Sequence, residues 1–144
     1  MLKTISKFAL IVIVAAILYL LLSGNLISRS PLVISVQILA VGLSVWARQS
    51  FQSGQFSIHA EPGAGPLLAS GAYRFIRHPM YAAALLLVWS SLLGHLSPLN
   101  LLVCIIASAV TSVRIITEDQ FLLAQFPGYA EYARTTKRII PFVI

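Results

Sequence analysis

Charge is what this chain has least of. Asp, Glu, Lys and Arg together make up 10% of its 144 residues, against about 25% in an ordinary soluble domain. With 58% hydrophobic residues, such a chain cannot present most of its surface to water. It is of single-domain size and must turn much of that surface to lipid. Cysteine is nearly absent as well. Cys104 stands alone in an apolar run, which excludes an intrachain disulfide and a thiolate metal site and leaves a small buried or lipid-facing side chain. Three scattered histidines without a cysteine cluster give no metal set. A Gly-rich phosphate loop, a nucleophile elbow and a dinucleotide fingerprint are missing, and so are repeats and low-complexity tracts. Residues 79–113 contain no Lys, Arg, Asp or Glu, whereas an ion or solute pathway carries ionisable residues inside its spans. The net charge of +6 raises the question of nucleic acid. The basic residues, however, sit at the ends of apolar runs and not on a basic face with interleaved aromatics, so no nucleic-acid partner is expected.

What is present is a series of apolar runs separated by short polar breaks. About 20 apolar residues cross a bilayer, within a range of about 17–25, and four runs are read as spans, at about 8–27, 32–48, 79–94 and 99–116, the last two short enough that their helices are expected to extend past the apolar limits. Lys3 and Lys7 ahead of the first run also fit a signal peptide, but no small-x-small cleavage pattern follows, and the run is read as a retained span. Pro31 suits a helix start. The second run ends on Trp46 and Arg48, an interfacial pairing, and holds Gln37, which a neighbouring helix is expected to satisfy. Residues 49–78 form a long polar loop that includes His59 and Glu61. Phe51, Phe56 and Ile58 point to contact with the membrane surface or the bundle, and Pro62-Gly-Ala-Gly-Pro66 reads as a turn-rich hinge. Gly94 to Pro98 is a tight turn whose His95 reads as solvated. Beyond residue 116 the helix is expected to leave the membrane and run to Phe126, where Pro127-Gly128 breaks it. A basic tail with Arg134, Lys137 and Arg138 then suits a segment at the headgroup level. The fold expected is all-α: one integral-membrane helical bundle of about four transmembrane helices, with residues 117–144 as a cytoplasmic C-terminal helix extension.

Basic residues set the orientation. The N-terminus has Lys3 and Lys7, the first loop Arg29, and the long loop with its flanks Arg48, Arg74 and Arg77. The hairpin tip has none, and the C-terminal segment has Arg114, Arg134, Lys137 and Arg138. The positive-inside rule places both termini and the long loop in the cytoplasm, which suits an inner or plasma membrane.

Two polar clusters therefore bracket the hairpin of spans three and four at one membrane face. The first is Arg74, Arg77 and His78 with Tyr73 and Tyr81; the second is Arg114 with Glu118 and Asp119. Each has a structural reading. Arg114 and Glu118, four apart, form a helix-stabilising pair on one face, and the first cluster serves as interfacial anchors and belt aromatics. The adjacent acids need a further reason, because carboxylates near a membrane boundary lose hydration unless something pairs with them. A cationic or hydroxyl-rich ligand would supply that partner. Chemistry on something drawn from the bilayer edge is one function this allows. A non-catalytic scaffold or partner-binding subunit is another, and a small transporter a third.

Leu67-Leu-x-Ser-Gly-x-Tyr73-Arg-x-x-Arg77-His-Pro-x-Tyr81 resembles the signature of the isoprenylcysteine carboxyl methyltransferase family. So do Arg114-x-x-x-Glu118-Asp119-x-x-Leu122, Phe126-Pro-Gly-Tyr129-x-x-Tyr132 and Arg138-x-Ile-Pro141. The likeness covers roughly residues 56–141, and related phospholipid methyltransferases share the plan. It implies a membrane enzyme that transfers a methyl group from S-adenosylmethionine to a lipophilic or prenylated acceptor in the lipid bilayer, such as a prenylcysteine-type carboxylate or a lipid amine. Leu67, Leu68, Tyr73, His78, Pro79, Met80, Tyr81 and Glu118 would bind the cofactor. Arg114 would face the acceptor, and His78 could serve as a base. Aromatic faces and an acid suit a sulfonium, and a guanidinium suits an anionic acceptor. The chain departs from better-known members at Ala83, where they often have glycine, and in pairing Glu118 with Asp119 in place of two glutamates.

Overall fold

The structure is a computed structural model that describes residues 2–51 and 65–140, with side chains described from Phe8 onward. The readings of Phe56, Ile58, His59 and Glu61, and of the hinge from Pro62 to Ala64, lie outside the described residues. Among the described residues five helices follow in order: α1 (Leu2–Leu22), α2 (Pro31–Gln49), α3 (Pro79–Gly94), α4 (Pro98–Gln125) and α5 (Tyr129–Thr135), with a 3-10 turn at Gly71–Arg74 between α2 and α3. The fold is all-α as expected. Among the described residues the one extended pairing is an isolated parallel bridge between Ile76 and Lys137. Helices α2 and α4 are long and apolar enough to cross a membrane, while Phe8–Leu22 and α3 are shorter apolar helices.

Proline opens α2, α3 and α4, where its fixed φ suits the first turn and its missing N–H leaves no bond unmade. Ser97 caps α4 by accepting a hydrogen bond from the Asn100 N–H at 3.0 Å. Helix α1 stops at Leu22, five residues before the expected end of the first span. Gly24 takes φ 73°, and the N–H groups of Gly24 and Asn25 return to the carbonyls of Leu21 and Leu20 at 3.1 and 2.8 Å. That is a Schellman termination, and a glycine in the left-handed region is what permits it.

Helix α2 packs most extensively on α3 and α1 on α4, and α3 touches both α1 and α4. Small residues make many of the contacts. Ala9, Ala16, Ala40, Ala47, Ala82, Ala83 and Ala107 are buried, while Leu22, Leu32, Ile38 and Leu39 are exposed. Small residues inside and large apolar ones outside is the arrangement of helices associating in lipid, where close backbone approach, not burial from water, drives packing. The largest buried cluster joins Ala16, Leu20, Val88, Leu92, Cys104 and Ala107. It sits at the end of the bundle where α3 finishes and α4 begins, which leaves the opposite end for polar groups.

Two polar residues differ from expectation, and the tail has a partner that was not foreseen. Gln37 is satisfied by a loop, its Nε2 donating to the Leu26 carbonyl at 2.6 Å. His95 is half-buried, with Nε2 3.0 Å from the Ile27 carbonyl, so it ties the hairpin tip to the α1–α2 loop. The C-terminal tail is paired to the bundle. Arg77 and His78 donate their backbone N–H groups to the carbonyls of Lys137 and Arg138 at 2.7 and 3.0 Å, which fastens the tail to the start of α3.

Candidate active site

The site forms where α3 begins and α4 carries its last turns. Gly71 starts the approach, with φ 58° and with a position so close to α2 that an added Cβ would collide with the Ser50 side chain. Only glycine suits both conditions. Ser50 Oγ accepts from the Ala72 N–H at 3.3 Å, so the 3-10 turn docks on the end of α2. Tyr132 then donates its hydroxyl to the Tyr73 carbonyl at 2.6 Å. From there the chain passes His78 and enters α3 at Pro79, both buried.

Two polar assemblies sit side by side on this frame. In the first, Tyr81, in the first turn of α3, donates its hydroxyl to Glu118 Oε2 at 2.8 Å and accepts from Arg114 Nε at 2.9 Å. The i, i+4 pair on α4 is thus bridged by a phenol from the neighbouring helix. Arg114 is 2% exposed, whereas Glu118 is half-buried, which leaves the carboxylate as the accessible end of the chain of bonds. The rings of His78 and Tyr81 lie 5.8 Å apart, tilted by 32°. Tyr73 is half-buried on the 3-10 turn. Its phenol is pushed far above the ordinary tyrosine range, first by burial and then by the negative charge of Glu118. Glu118 therefore acts on Tyr73 through its charge.

The second assembly is centred on Asp119. Its Oδ1 lies 2.7 Å from His78 Nε2 and accepts the Tyr129 hydroxyl at 2.5 Å, and its Oδ2 accepts from Arg138 Nε at 2.9 Å. Burial alone would raise the carboxyl's pKa. The contacts with His78, Tyr129 and Arg138 outweigh it and hold Asp119 well below the usual carboxylate range. Tyr129 is pushed far up by burial and by its bond to Asp119, and burial moves Tyr132 to about 12. Asp119 thus joins α4, the start of α3, α5 and the tail at one point. Arg77 reinforces the joint by donating Nη1 to the carbonyls of Ala133 and Thr136, at 2.6 and 2.8 Å, at the end of α5. A guanidinium there also complements the negative end of the helix.

Of the residues singled out in the sequence, Tyr81, Arg114 and Glu118 are joined directly, and Tyr73 and His78 border them. Leu67 and Leu68 are half-buried in the irregular stretch before the turn, and Met80 is half-buried in the first turn of α3. None of these three takes part in the polar network. His78, expected to hold cofactor or move a proton, is 3% exposed with Nε2 taken up by Asp119. The roles of Arg77, Tyr129 and Arg138 in closing the site from behind were not visible in the sequence. The available signal was that Tyr129 and Arg138 fell in the second half of the family motif.

The profile of the phospholipid methyltransferase family (PEMT) matches residues 30–128, a stretch that contains both assemblies except Tyr129 and Arg138. The cobalt-zinc-cadmium resistance protein CzcN of Cupriavidus metallidurans is similar, at 32% identity over 118 residues, 78% of this chain and 50% of CzcN. The chain spans about half the length of that curated relative. With a membrane-type helical bundle and the matched polar junction, the chain belongs to the phospholipid methyltransferase family, the family that includes the isoprenylcysteine carboxyl methyltransferases whose motifs it resembles.

Proposed function

We propose that this chain is an S-adenosylmethionine-dependent methyltransferase with four membrane-crossing helices, acting at the cytoplasmic face of an inner or plasma membrane on a lipophilic acceptor. The observation that carries the reading is the bridge of Tyr81 between Arg114 and Glu118 at the junction of α3 and α4. The residues present suit the cofactor. A half-buried carboxylate held by the Tyr81 phenol, with the His78 ring beside that of Tyr81, is a surface for a compact cation.

When bound, S-adenosylmethionine supplies an electrophilic methyl group on a positively charged sulfur. The chain's own part is placement. Tyr81 fixes the Glu118 carboxylate with a hydrogen bond, so no reorganisation is needed when positive charge arrives. Arg114, held through Nε, sets a positive field beside the place where an anionic acceptor would approach. A carboxylate acceptor is already ionised and needs no base. An amine acceptor must lose a proton, and Glu118 is better placed to take it than the buried His78. Most of the acceleration would come from aligning acceptor and methyl in a water-poor setting at the membrane edge.

The test is transfer of a radiolabelled methyl group from S-adenosylmethionine into a total membrane lipid extract by detergent-solubilised protein. Label in an organic-soluble product, abolished by Glu118→Ala, is the expected result. Arg114→Ala should retain cofactor binding and lose turnover. A folded wild type that binds cofactor yet labels no lipid would overturn the lipophilic acceptor. A folded wild type that does not bind cofactor would favour the scaffold reading.

A further inference from the structure

On another face of α3 lies a cavity of about 780 Å³ bounded by α2, α3, the 3-10 turn and the C-terminal tail. Its volume is within the ~300–1,000 Å³ typical of ligand sites, and all its lining side chains are hydrophobic. Ala82, Leu85, Leu86 and Trp89 line it from α3, at the three- and four-residue steps that make one stripe along a helix. Tyr81 is turned about 100° away from Ala82 and directs its hydroxyl to α4. The groove is therefore distinct from the polar site. Its cytoplasmic end is floored by the 3-10 turn and by Ile139 and Ile140, and each of these segments carries a cation. Arg74 precedes the lining residue Phe75, and Lys137 is bridged to the lining residue Ile76. Both side chains are exposed. Neither has a hydrogen-bond or ion-pair partner among the described residues.

We propose that this groove is a binding site for an anionic phospholipid of the bilayer, with one acyl chain lying between α2 and α3 and the phosphate met by Arg74 and Lys137. An apolar trough running from the membrane–water boundary into the hydrocarbon matches an acyl chain. Two uncommitted cations at its aqueous end select a headgroup with net negative charge over a zwitterionic one, which carries its own cation. The lipid would press on the 3-10 turn and the tail, the two segments that frame the start of α3. The inference stands on this groove and not on the methyltransferase reading.

The two tryptophans of the chain, Trp46 and Trp89, both line the groove, so intrinsic fluorescence reports on it directly. The full-length protein would be reconstituted in phosphatidylcholine vesicles containing either dibrominated phosphatidylglycerol or dibrominated phosphatidylcholine at equal mole fraction, and bromine quenching compared. Saturable, stronger quenching by the anionic lipid is expected. The preference should fall about fivefold for each charge removed in Arg74→Gln and Lys137→Gln. Ala82→Phe, which fills the groove, should abolish the saturable component in protein whose circular dichroism is unchanged. Equal quenching by the two lipids would overturn the proposal. So would a preference that survives loss of both cations, since that would be bulk attraction to the basic face. Quenching unchanged in Ala82→Phe would overturn the groove as its location, and a Leu86→Phe variant offers the same test should Ala82→Phe fail to fold. None of these readouts needs cofactor or turnover.

Discussion

Removing the Asp119 carboxylate should release the C-terminal segment from the site. The two oxygens receive Tyr129 and Arg138 and contact His78, and the side chain is 11% exposed. Asp119→Ala leaves all three groups without a partner, and breaking a buried pair in this way costs about 3–5 kcal/mol. Arg138 softens the loss, because its side chain is 50% exposed and can return to water. We therefore expect about 3 kcal/mol. Asp119→Asn separates the contributions. Its amide oxygen can occupy the Oδ1 position and keep the contacts with His78 and Tyr129, while its NH2 then faces the Arg138 donor. The cost should be that of one charged hydrogen bond, about 1.5–3 kcal/mol.

Two assays read this: thermal unfolding in detergent, and limited trypsin cleavage after Lys137 and Arg138, which the backbone pairing with Arg77 and His78 protects. Cleavage should quicken in the order wild type, Asn, Ala. Acid supplies a second handle. A carboxyl whose folded pKa is depressed contributes stability that is complete above its unfolded value of about 3.9 and is lost as pH falls toward the folded value. Asp119's own contribution should hold at neutral and mildly acid pH and shrink only below about pH 4. If Asp119→Ala unfolds at the wild-type temperature and resists trypsin equally, Asp119 does not anchor the tail.

Other consequences are narrower. Tyr81→Phe removes the bridge between Arg114 and Glu118 while keeping the ring. At about 1.5–3 kcal/mol for a hydrogen bond to a charged group, S-adenosylmethionine affinity should drop by about tenfold or more. An unchanged affinity in a calorimetric titration would remove Tyr81 from the binding role. Gly71→Ala forces a Cβ into the left-handed region, at about 1–2 kcal/mol, and into the Ser50 side chain. It should lower the melting temperature and cofactor affinity together, and Ser50→Ala should not rescue the first of these costs.

The frame of the molecule was legible because its determinants are local. Apolar runs, and prolines at residues 31, 79 and 98, marked three helix starts within a residue. The charge-free stretch from 79 to 113 gave the hairpin, and the polar residues at its two ends do meet, as Tyr81 with Glu118 and His78 with Asp119. What stayed hidden depends on tertiary partners. The early end of α1 turns on a left-handed Gly24 that hydropathy does not see. The tail reads as amphipathic and surface-bound because its single parallel bridge to Ile76 is too short to leave a periodic trace. In sequence Glu118 is assigned to the cofactor and the role of Asp119 beside it stays open. One helical step of about 100° turns it instead toward α5 and the tail, so that adjacent acids serve a joint and an accessible site respectively.

The central claim is that the start of α3 and the last turns of α4 form one receptacle for a small charged cofactor. Calorimetric titration of S-adenosylmethionine into the purified protein without acceptor, beside Glu118→Ala of matched helicity, tests it most directly. Saturable one-to-one binding by the wild type, lost in the variant, is the predicted result. Absence of binding to a folded wild type, or equal binding by both proteins, would contradict it.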